Sequence, residues 1–142
     1  MNINRQSRLL YAELLRHFAA GRLTNHEYED AADKLLVSRD ASLWAIYLIV
    51  WLHYVDWQTH RLTGKWKLSL DMLRNFARMI VFLHSGLPYE WPRTPLWRML
   101  LGIVTRLFPS RPCGGDESVW PFFRREDFEA AIARPRLLGG AN

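Results

Sequence analysis

The chain has 142 residues, 49% of them apolar, with seven Trp, seven Phe and five Tyr, enough to bury the core of one domain and too apolar for a disordered chain. A single cysteine, Cys113, excludes an intrachain disulfide and a Cys-based zinc site. The net charge of +5 is the sum of −1 over residues 1–60 and +6 over residues 61–142, and the basic residues there are spread rather than gathered into a stripe, so a nucleic-acid partner is not expected.

In chain order, residues 5–20 carry Leu10, Tyr11, Leu14 and Phe18 at helical spacing, with Arg5, Arg8, Glu13 and Arg16 placed away from them. Gly21 follows where a helix C-terminus favours the left-handed conformation. Thr24-Asn25-His26-Glu27 is a capping box, in which hydroxyl and carboxylate each satisfy the other residue's backbone N–H. Leu23 and Tyr28 stand at the staple positions around it. The pattern predicts a second helix from Asn25 to about Leu36, forming a short-turned hairpin with the first.

Gly21-Arg22-Leu23-Thr24, Glu27-Tyr28-Glu29 and Lys34-Leu35-Leu36 together resemble the SHOCT type of short helical hairpin. The resemblance covers residues 8–37. Ala31 and Ala32 stand where that family often has basic residues, and SHOCT hairpins usually sit at a C-terminus. It implies a bacterial origin and a role in interaction or oligomerisation, without a chemistry.

Asp40 is placed to cap a third helix, expected to run to about Leu62 and to stop at Thr63-Gly64. Residues 43–52 are apolar all round, which predicts a helix buried in the middle of a bundle; the run is far short of the roughly 20 residues of a membrane span. Ser69 begins a fourth helix, about Leu70 to His84, with Leu73, Phe76, Ala77 and Ile80 inward and Asp71, Arg74, Asn75 and Arg78 outward. Ser85-Gly86 stops it. Residues 87–93 then form a rigid aromatic loop with two prolines. Thr94-Pro95 opens a fifth helix to about Phe108. Residues 109–118 read as a flexible polar loop, and Arg124 to Arg134 as a short last helix carrying Phe128, Ala131 and Ile132. The fold class is therefore all-α: a single-domain bundle of five to six helices, with the hairpin against the apolar third helix.

One constellation bears on chemistry. His53, Asp56 and His60 are three and four residues apart, so a continuous third helix brings two imidazoles and a carboxylate onto one face, a set suited to Zn or Fe. An ordinary polar helix end, with Asp56 paired to His60 or to Arg78, accounts for the same residues and is preferred. The acidic residues Glu27, Glu29, Asp30 and Asp33 are explained by capping and solvation. Nucleophile elbows and phosphate-binding glycine loops are missing, so neither a catalytic residue nor a cofactor is expected.

The segments around Trp91-Pro92 and Trp120-Pro121 place Tyr89, Trp91, Trp120 and Phe122 in loops. Rigid aromatics of this kind anchor interfaces, or plug a core as straps; the strap is preferred. The sequence thus points to a non-catalytic, protein-binding protein of adaptor or immunity type in a bacterial cytoplasm, possible also as a homo-oligomer. A metal-dependent helical enzyme using His53, Asp56 and His60 and a membrane-surface protein are the alternatives.

Overall fold

The computed structural model describes residues 3–54, 56–92 and 114–134. Within them are five α-helices and no strand: α1 Arg5–Ala19, α2 Asn25–Leu36, α3 Ala41–Trp51, α4 Leu70–Ser85 and α5 Arg125–Ile132. The expected helix over residues 94–108 lies outside the described residues, as do residues 109–113 of the polar loop.

α1 is the hub: it packs most extensively on α4 and then on α2, while α3 leans on α2 and α5 on α4. Its inward stripe is Tyr11, Leu14, Leu15 and Phe18, with Leu10 outside. Arg8, expected in solvent, is instead 1% exposed, because Asp40 at the start of α3 neutralises it inside the fold. The turn after α1 closes as a Schellman motif: Arg22 N–H donates to His17 O at 3.0 Å and Gly21 N–H to Phe18 O at 2.9 Å. Gly21 has φ +71°, and a Cβ there would stand 2.4 Å from Cγ2 of Thr63. The capping box of α2 is complete, with Thr24 N–H donating to Glu27 Oε2 (2.7 Å) and Glu27 N–H to Thr24 Oγ1 (3.2 Å).

α3 stops eleven residues earlier than its pattern suggests. Leu52 and His53 donate to Ile49 and Val50, tightening the last turn, and the chain then leaves the helix. Tertiary polar contacts hold the segment that follows. The buried amide of Asn25 donates to Gln58 O at 3.2 Å and accepts from His60 N–H at 3.0 Å. Asn25 N–H donates to His60 O, and Thr24 and Arg61 form an isolated antiparallel bridge. Three bonds at Asn25, two through its side-chain amide and one through its backbone N–H, outweigh the local preference to continue the helix.

α4 keeps its expected limits, capped by Ser69 and ended at Gly86 with φ 73°. Its buried stripe, however, is Phe76, Met79, Phe82 and Leu83, while Leu73 and Ala77 are exposed. Turning the helix this way buries two long side chains and an aromatic ring in place of a leucine and an alanine, which removes more apolar area from water.

The two Trp–Pro segments meet. Trp91 Nε1 donates to the carbonyls of Pro121 (3.2 Å) and Phe122 (3.1 Å), and Trp120 Nε1 donates to the Tyr89 hydroxyl at 3.3 Å. Phe122 is fully buried edge-on against Phe82, 5.2 Å between centroids. Arg78, expected on the wet face of α4, donates to Trp120 O (2.7 Å) and Ser118 O (2.6 Å) and so ties this strap down. Residues 116–119 also hold a defined turn: Asp116 caps the short 3₁₀ segment Glu117–Val119 and pairs with Arg125 at 3.1 Å. That part of the expected loop is structured.

Candidate functional site

The metal face weighed as an alternative for the third helix needs a continuous helix through His60, and α3 ends before His53. The three residues go separate ways. His53 packs near Phe76, 6.3 Å between centroids, and its burial pushes the imidazole below its ordinary pKa. His60 is buried against the Trp66 ring at 4.3 Å, with Nδ1 2.7 Å from Gln58 O. Asp56 is exposed and grouped with His26 and Glu29 of α2. Neither His60 nor Arg78 is paired with Asp56 among the described residues.

The four aromatic residues expected as possible anchors are used within the fold. Tyr89 and Phe122 belong to the core, and Trp91 and Trp120 are half-buried and bonded to each other's segments. They are the strap, and the exposed aromatic surface lies elsewhere.

That surface is the outer side of α3. Leu43, Ile46 and Val50 face inward at helical spacing and are fully buried. Trp44, Leu48, Trp51 and Leu52 recur at i, i+4, i+7 and i+8, which makes a second apolar stripe on another face. Trp44 is 52% exposed, Trp51 36% and Leu52 44%, and Trp57 in the following loop is 88% exposed. Instead of being buried all round, α3 is apolar all round and buried on one side. Trp44 is held by stacking on Tyr47, 5.8 Å between centroids, and Tyr47 stacks in turn on buried Tyr28 at 6.3 Å. A stacked indole is pre-positioned, which lowers the entropic cost of using it as an anchor.

Burial, followed by the charges of Asp33, Glu29 and Asp56, pushes the Tyr47 hydroxyl above its ordinary pKa. Tyr54 donates to Glu29 Oε1 at 2.7 Å; burial and that bond to a carboxylate drive its own hydroxyl strongly upward. The helical spacing of Trp44 and Trp51 was visible in the sequence; that nothing among the described residues covers it was not.

No helix among the described residues is long and apolar enough to cross a membrane. The chain matches no family model, no curated protein and no solved structure.

Proposed function

We infer that this chain is a non-catalytic protein-binding protein, an adaptor or immunity protein of a bacterial cytoplasm, and that its partner lies against the outer face of α3. The observation that carries this reading is the stripe Trp44, Leu48, Trp51 and Leu52 on a helix whose other side is core. Indole rings are preferred anchors because each removes a large area from water with only two rotatable bonds. Burying them costs the fold nothing, since the core is filled from the other side.

The hairpin's likeness to SHOCT segments agrees with an interaction role and with a bacterial source. The lone cysteine suits a reducing compartment.

The test is the double variant Trp44→Glu/Trp51→Glu. Leu43, Ile46 and Val50 keep the core side of α3 filled, so helical circular dichroism should match that of the parent, with a modest drop in melting temperature from the area that Trp44 and Trp51 already bury. A partner cross-linked to the parent in its native host should be lost in the variant, by tenfold or more in affinity once the partner is purified. Undiminished binding would refute this surface. Sedimentation of the parent over a dilution series identifies the case in which the partner is a second copy.

A further inference from the structure

We propose that His26, Glu29 and Asp56 form a site for one divalent transition-metal ion of the Zn2+ type, joining α2 to the loop after α3. This assignment does not depend on the protein-binding reading. One ligand atom from each residue, an imidazole nitrogen and two carboxylate oxygens, lies within 4.8 Å of the other two. Atoms sharing a tetrahedral zinc shell stand roughly 3–3.5 Å apart given bonds of about 2.0–2.2 Å, so modest side-chain rotation closes the set. His26 and Glu29 are neighbours on one helical turn, with Nδ1 already 3.4 Å from Oε2. The third ligand comes from a different segment, which is what a clip between two parts of a chain requires.

Two further features favour an ion here over a solvated surface. Tyr54 donates to Oε1 of Glu29 at 2.7 Å, fixing that carboxylate with Oε2 turned toward His26, as outer-shell donors do around metal ligands. Asp56, moreover, has neither a cationic nor a hydrogen-bonding partner among the described residues, although it is held beside a second carboxylate. A divalent cation removes that repulsion. The nitrogen donor points to Zn2+ or a neighbouring first-row ion; calcium and magnesium prefer all-oxygen sets with more ligands. Three protein ligands leave a position for water. The role proposed for the ion is to tie the loop after α3 to α2.

The experiment is calorimetric titration of Zn2+ into the full, tag-free, metal-stripped chain, alongside thermal unfolding with and without the ion. One equivalent should bind and raise the melting temperature. His26→Ala and Asp56→Ala should each weaken binding at least tenfold, and Tyr54→Phe should weaken it by a smaller factor. His53→Ala, outside the set, should leave it unchanged. Both His26 and Asp56 are exposed, so circular dichroism should show intact folds. Absence of binding at millimolar Zn2+, or binding that survives His26→Ala and Asp56→Ala, overturns the site; in the latter case the metal sits on other histidines.

Discussion

A buried ion pair joins α1 to the start of α3. Arg8 donates through Nε to Asp40 Oδ2 at 2.7 Å and through Nη2 to Oδ1 at 3.1 Å, and its third nitrogen reaches the Leu87 carbonyl. Asp40 also accepts from Asn4 N–H, Ser42 N–H and the Ser42 hydroxyl. Taking both ions out of water is expensive, and only this full set of bonds offsets it. Burial alone would raise the Asp40 carboxyl; bonds from Arg8 and Ser42 and the guanidinium charge outweigh it and hold the group below the usual range. Asp40→Ala should therefore cost about 3–5 kcal/mol in urea denaturation, because it strands a buried guanidinium. Arg8→Met with Asp40→Leu should recover much of that loss, and a double variant as unstable as the two singles combined would contradict the account.

At the scale of elements, what was legible in the sequence is what is encoded locally. The capping box at Thr24, the Ser69 cap and the left-handed glycines at 21 and 86 act within a few residues, and the limits of α1, α2 and α4 follow from them. The end of α3 has no such signal. It is set by Asn25, more than thirty residues away in sequence from the backbone it binds, so the His53, Asp56 and His60 spacing suggested a face that the chain never makes. Arg8 misled for the same reason: its partner is remote. The exposed stripe was hidden because apolar residues around a whole helix look alike whether one side or both are covered. The junction between hairpin and loop can be probed at Gly21. Gly21→Ala should destabilise by about 1–2 kcal/mol from the left-handed backbone alone, and by more because the new methyl meets Thr63. Thr63→Ala in the same background should recover the excess, measured by thermal melting.

Over the whole molecule, these local charges add up to a definite response to acid. His53 and His84 are both pushed below the ordinary value of 6.5, chiefly by burial and, for His84, also by the charge of Arg16. Between that value and their folded ones the unfolded chain binds more protons, so stability falls as pH drops through this window. Asp40 acts lower down: its contribution is present above 3.8 and is lost as pH falls through its depressed folded value. Urea midpoints should be level near neutrality, decline below about pH 6.5, and decline again below about pH 4. His84→Gln should shrink the first decline and leave the second. A single decline confined to the carboxylate range would contradict the histidine assignment.

The two sides of α3 also differ in what a substitution costs. Changes at Leu43, Ile46 or Val50 strike the fully buried core, whereas changes at Trp44, Trp51 or Leu52 touch side chains that stand partly in solvent and cost folding less. If the proposed partner lies against that face, a substitution on it alters what is bound more than it alters the scaffold that presents it.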